Sequence, residues 1–146
     1  MRAGFFGGLT AAALDLLYAF AAYGVLGVLP IRILQSIGSG WLGPSSFSLS
    51  WRSALLGLAS HIAILCAASF LYVYLRARSS YVTTHPWIAG AAYGLIIFLV
   101  MNFVVVPLSA AEASLPKGWL LFGSVCAHVL LVGVPIAQTA HRLAGR

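Results

Sequence analysis

Apolar residues run along this chain in four long blocks separated by short polar connections. The blocks are Ala3 to Ile31, broken only by Asp15, then Ser53 to Leu75, Trp87 to Leu108 and Trp119 to His141. The last three contain no Asp, Glu, Lys or Arg. Each block is long enough to be a spanning helix, which needs about 20 residues to cross a ~30 Å hydrocarbon core. The pattern predicts an all-α, polytopic membrane protein: a four-helix bundle with helices over about 4–29, 53–75, 87–107 and 119–140, forming one transmembrane domain over 1–146. In the first connection, Ile33, Leu34, Ile37 and Trp41 recur at near-helical spacing between Pro30 and Gly43. That spacing suggests a short interfacial helix after the first span, and a plain loop returning through the Gly- and Ser-rich stretch Gly38 to Ser50 is the alternative. The second connection, Arg76 to Pro86, is basic and polar, and the third, Ser109 to Gly118, carries Glu112 and Lys117. Trp87 and Trp119 mark the boundaries where the chain re-enters.

Composition fixes the solvent. With 62% hydrophobic and only 7% charged residues, and a mean hydropathy of +1.01, a chain of 146 residues cannot hide its apolar surface inside a soluble domain. The expected surroundings are the lipid bilayer, with a homo-oligomer or another membrane protein as the remaining partner classes. The net charge of +6 is scattered at helix ends, which points to topology and anionic headgroups and away from nucleic acid. Arg2, Arg76, Arg78, Arg142 and Arg146 fall on one side, against Arg32, Arg52 and Lys117 on the other. By the positive-inside rule both termini are then cytoplasmic. Met1-Arg2 before an apolar run with Ala19-Phe20-Ala21 has the outline of a secretory signal, but Asp15 splits the apolar region such a signal requires.

Asp15 is the informative residue. A carboxylate near the centre of a spanning helix costs roughly 2.5–3.5 kcal/mol on insertion scales, so it should face protein and have a partner. At helical spacing its neighbours are Gly8, Ala11, Ala12, Ala19 and Ala22, a small-residue face suited to helix contact. The candidate intramembrane polar cluster is Asp15, His61, Asn102 and His128. At 1.5 Å per residue, Asp15 lies ~18 Å from one end of its helix and the two histidines ~14 Å from the opposite face, so the three can share a layer. Asn102 falls nearer the outer edge, where it can hydrogen-bond across helices.

Several readings of this cluster are open. In the first it is a satisfied polar network that fixes helix register. In the second, Asp15 and one His exchange a proton, since desolvation and a nearby imidazolium act in opposite senses on a carboxyl group, and the protein is a proton relay or proton-coupled transporter. In the third, His61 and His128 ligate a haem or a metal, although two isolated histidines without a third ligand are a weak signal, and no cofactor is expected. An accessory subunit of a membrane complex is the fourth. With two carboxylates in the chain, no nucleophile elbow and no phosphate-binding loop, no enzyme constellation is legible and no catalytic residue is assigned.

The remaining features favour packing. Gly4-x-x-x-Gly8 before Asp15 and Gly90-x-x-x-Gly94 before Asn102, with Gly57 before His61 and Gly123 before His128, outline two hairpins of the same topology related by an axis along the membrane normal. The paired glycines allow close helix contact. Cys66 and Cys126 suit small apolar packing, His85 and His141 suit helix boundaries, and Pro135 after Gly133 should kink the last helix.

The run Gln35-Ser36-Ile37-Gly38-Ser39-Gly40-Trp41-Leu42-Gly43, Met101-Asn102 leading into Pro107-Leu108-Ser109, and His128 followed by Gly133-Val134-Pro135 resemble an uncharacterised family of small bacterial four-helix membrane proteins. A more distant similarity is to the YagU-type inner-membrane family. The resemblance implies a multi-pass protein of the bacterial inner membrane, and it implies no substrate, cofactor or site residue.

Overall fold

The first apolar block does not stay helical to its end. In the computed structural model of the protein, which describes residues 1–112 and 114–143, α1 spans Arg2–Gly24 and a turn follows. Gly27 takes φ +80° in that turn, a left-handed conformation that only glycine adopts without strain, and Pro30 then starts a new helix at a position where its missing N–H is no loss. The span expected over 4–29 is therefore shorter at its far end. Arg146, counted in the charge balance, lies outside the described residues.

The second helix, α2, covers Pro30–Leu42 and ends at Gly43, φ +57°. The helical alternative for this connection is the one realised. A 3-10 segment, Gly43–Ser48, leads into α3 at Trp51–Arg78. The short α4, Ser80–Thr84, stands in the basic turn and is capped by the Ser79 hydroxyl, which accepts from the Val82 amide. It is followed by α5, Pro86–Leu108, and α6, Trp119–Leu143. No strand occurs among the described residues.

Four of these helices, α1, α3, α5 and α6, are long and apolar enough to cross a membrane, and no more than 33% of the most apolar window in any of them is buried inside the bundle. The outward faces carry large apolar side chains such as Leu17, Phe70, Leu99 and Phe122. Apolar residues outnumber interior positions, which is the distribution a lipid-facing bundle requires and a water-facing one does not.

Small residues set the packing. Antiparallel α1 and α3 touch where Gly8 meets the backbone of Cys66 and Gly4 meets the ring of Phe70. In the second hairpin Gly94 lies against the backbone of His128, Val129 and Gly133, and Gly90 against Gly133 and Ala137. The step from Cys66 to Gly133 equals that from Phe70 to Ala137 and from His61 to His128, so the two hairpins pack alike at the positions the glycine pairs mark. The twofold arrangement breaks down elsewhere. On the α1 and α6 side the helices are joined by Gly7 beside Ile136 and Gly123 beside the Tyr18 hydroxyl. On the α3 and α5 side the contact rests on Tyr93, whose hydroxyl donates to the Ala68 carbonyl (2.7 Å) and whose ring meets Tyr72 edge-on. Towards the far end a cavity lies between α3 and α5.

Pro135 does not break the last helix. It is preceded by a π-helical segment, His128–Gly133, and Pro107 in α5 is preceded by another, Met101–Val105. Proline lacks the N–H that would bond four residues back and its ring crowds that carbonyl, so the preceding turn widens and the helix continues.

Helix α2 lies across the far end of the bundle. Gly38 and Gly57 allow its backbone to press on α3, and the buried Gln35 donates from Nε2 to the Ser50 carbonyl (2.8 Å). The Ser46 hydroxyl donates to the Gln35 carbonyl (2.7 Å), and Ser53 donates to that of Ser46. The serines of the return stretch thus serve backbone groups that a tight turn would leave unpaired. At its other end the Gly40 carbonyl accepts from the Ala110 amide (3.0 Å), linking α2 to the connection after α5.

Candidate intramembrane polar site

Each of the four spanning helices delivers one residue of the predicted cluster. Asp15 of α1 projects from the small-residue face on which Ala11 and Ala12 are buried against neighbouring helices. Its Oδ2 lies 3.7 Å from His61 Nε2 of α3, and its Oδ1 lies 4.0 Å from His128 Nδ1 of α6. All three side chains are largely buried. The carboxylate therefore sits between two imidazoles at ion-pair distance, slightly beyond a direct hydrogen bond.

Backbone carbonyls fix which ring nitrogens carry hydrogen. His61 Nε2 donates to the Ala12 carbonyl of α1 (3.3 Å), and His128 Nδ1 donates to the Ser124 carbonyl one turn back (2.9 Å). A carbonyl only accepts, so in the neutral rings these nitrogens are the protonated ones and His61 Nδ1 and His128 Nε2 hold the lone pairs. Both N–H groups lie on the side of Asp15, where an ionised carboxylate finds two donors in reach. The His128 ring is held by an edge contact from Phe98 of α5, 5.4 Å between centroids.

In each ring the nitrogen bonded to a carbonyl carries hydrogen, which leaves His61 Nδ1 and His128 Nε2 as the nitrogens with a lone pair to offer a metal or haem. Among the described residues no group of three or more His, Cys, Asp or Glu is disposed to hold a metal ion. Cys66 and Cys126 are free thiols, partly buried.

Asn102 departs from expectation. Its Nδ2 donates to the Phe98 carbonyl of its own helix (2.9 Å), with no cross-helix bond among the described residues. The freed geometry of the π-helical turn explains this: the widened helix leaves carbonyls that an amide side chain can serve. Asn102 nevertheless lines the same cavity as the other three.

That cavity is the feature the sequence did not announce. It has a volume of about 960 Å³, begins at Asp15, His61 and His128, and passes Ser124, Ser60 and Asn102. It continues between α3 and α5 to Ser36 and Trp41 of α2, to Ser109 and to the exposed Glu112 and Ser114 of the last connection. Ser60 and Trp41 are joined by a bond from the indole N–H to the hydroxyl (2.9 Å). The polar entries in α2 and in the third connection were visible in the sequence, but nothing there says that two connections far apart in the chain meet over one opening.

A second buried polar group stands nearer the terminal side. Ser69 Oγ and Tyr72 OH of α3 and Gln138 Nε2 of α6 are buried without a hydrogen-bond partner among the described residues. Ser69 and Tyr72 lie roughly 12 and 16 Å beyond His61 along the helix axis, towards the side on which the chain begins. Comparison with family models, with curated proteins and with solved structures gives no match, so the site is read from its own geometry.

Proposed function

We propose that this is a proton-coupled transport protein of the bacterial inner membrane, with both termini in the cytoplasm and the cavity facing outward. In this reading Asp15, His61 and His128 bind and release the proton, and the cavity holds the transported solute. The observation that carries it is the cavity ending on the ionisable layer: a network needed only for helix register would gain nothing from an opening of that size leading to it. A proton arriving through the cavity goes to the Asp15 carboxylate or to a lone-pair nitrogen, His61 Nδ1 or His128 Nε2. Nearer the cytoplasmic side Ser69, Tyr72 and Gln138 form a separate station for ordered water, the usual company of buried polar groups without protein partners, with the apolar side chains of Leu65 and Ile136 between it and Asp15.

The test is proton flux into vesicles containing the purified protein, driven by a potassium diffusion potential and read with an enclosed pH dye. The wild type acidifies the lumen faster than empty vesicles, and Asp15→Asn, which keeps shape and removes the charge, abolishes the excess. Equal rates for wild type, Asp15→Asn and empty vesicles sink the proposal. The cross-helix bond from His61 to the Ala12 carbonyl favours a second reading, a structural polar network. In that case Asp15→Asn lowers resistance to unfolding by about 0.6–2 kcal/mol and no flux exists to be lost.

A further inference from the structure

The chain carries eight Lys and Arg against two Asp and Glu, so most polar surface should be basic. The cavity wall has the opposite sign. Both carboxylates line it, Asp15 at the base and Glu112 at the rim, and among its described lining residues there is no Lys or Arg. The nearby Arg32 is turned to the Phe47 carbonyl (3.1 Å) and to Gln35 Oε1 (3.3 Å).

Three of the serines in the wall point to the same partner, because their hydrogens are already committed. The hydroxyls of Ser36, Ser60 and Ser109 donate to the carbonyls of Ile33, Leu56 and Val106 in their own helices, at 2.7–2.8 Å. Such a hydroxyl offers the cavity only lone pairs. His61 and His128 likewise spend their N–H groups on carbonyls and keep an acceptor nitrogen each. The indole N–H of Trp41 is used on Ser60, which leaves its ring face as the attractive part of a largely exposed side chain. Two carboxylates, a row of serine lone pairs and an aromatic face match a cation that brings its own N–H donors. An anion would meet two like charges, one of them at largely buried Asp15 where charge is weakly screened.

We infer that the solute of this cavity is a protonated organic amine, bound at Asp15 in competition with the proton. The inference rests on the proposed exchange of a proton at Asp15. The groups facing Asp15 decide the sign of the pH dependence: His61 from α3, His128 from α6 and Tyr18 from its own helix, with Asn102 of α5 neutral. With Asp15 ionised and both rings neutral the layer has charge −1 and takes up an ammonium group. One proton cancels that charge and a second reverses it, so acidification expels the amine.

The experiment measures equilibrium binding of three probes of one size, benzylammonium, benzyl alcohol and benzoate, to the protein in lipid nanodiscs between about pH 6 and 8. Benzylammonium binds saturably and at least about tenfold more tightly than the alcohol, benzoate does not bind, and the amine Kd rises by up to about tenfold per pH unit on acidification. Asp15→Asn weakens amine binding at least about tenfold. Glu112→Gln and Trp41→Ala, both away from the ionisable layer, weaken it about threefold or more in protein whose unfolding is unchanged, which separates recognition from folding. Equal or tighter binding of the alcohol or of benzoate overturns the inference, as does amine binding that ignores both pH and Asp15→Asn. If none of the probes binds while proton flux persists, the amine assignment falls and the proton reading stands. If the amine binds as described and proton flux is absent, the amine assignment and its competition with the proton at Asp15 stand, and the proton-transport reading falls.

Discussion

Replacing Gly94 by Ala tests the packing on which the polar layer depends. A Cβ at this position would fall inside contact distance of the His128 carbonyl oxygen, 2.8 Å from the carbonyl carbon and 2.9 Å from Val129 Cα. All three are backbone atoms, and none can rotate aside. Ordinary contact requires at least 3.4 Å from such atoms, so α5 and α6 must part by more than half an ångström over the segment that carries His128. Overpacking of this kind costs about 1–3 kcal/mol, and the absence of a flexible neighbour puts the expected loss near the upper figure. The assay is reversible unfolding in mixed micelles titrated with SDS and followed by circular dichroism, with Gly24→Ala as the reference. Gly24 ends α1 with nothing within 4 Å of its would-be Cβ, so that variant should change stability by under about 1 kcal/mol. A Gly94→Ala protein no less stable than Gly24→Ala would refute the backbone contact between α5 and α6. In the same variant displacement of His128 from Asp15 should slow proton flux, linking the packing to the proposed chemistry.

Other outcomes follow from single contacts. Tyr93→Phe removes the one described hydrogen bond between α5 and α3 and should cost about 0.6–2 kcal/mol in the same unfolding assay, while leaving the α5 and α6 contact intact. A reporter fused after Arg146 should be active only in the form that reports a cytoplasmic location, and activity of the external form would reverse the proposed direction in which the cavity faces. Binding of benzylammonium should weaken on acidification, and Asp15→Asn should abolish proton flux, as set out above.

The trio formed by Asp15 and the two histidines was legible in the sequence because a carboxylate in an apolar block has few possible answers, and helical rise fixes the depth of each. Asn102 was placed at the right level, but its bonding was not: the π-helical turn upstream of Pro107 turned its amide to its own helix. The same widening precedes Pro135, where a kink was expected and the helix continues through the proline. The cavity was not legible at all, since it depends on how α3 and α5, joined at Tyr93, are set apart around Ile64 and Met101.

By itself the sequence determined an all-helical chain with four membrane-length helices and one layer holding Asp15, His61 and His128, and it left the connection after the first helix open between a helix and a loop. Those properties follow from apolar block length, helical spacing and the cost of burying a charge, all of which act locally along the chain. Only the tertiary structure decided that α1 yields to α2 at Gly27 and Pro30, and that α2 and the connection after α5 form one rim. The tertiary structure likewise gathered around one cavity serines from separate helices whose hydroxyls are spent on carbonyls of their own turns. Such features depend on which helices touch and at what height, and in a chain where Gly and Ala mark many faces for close contact, that choice is made by packing among distant residues.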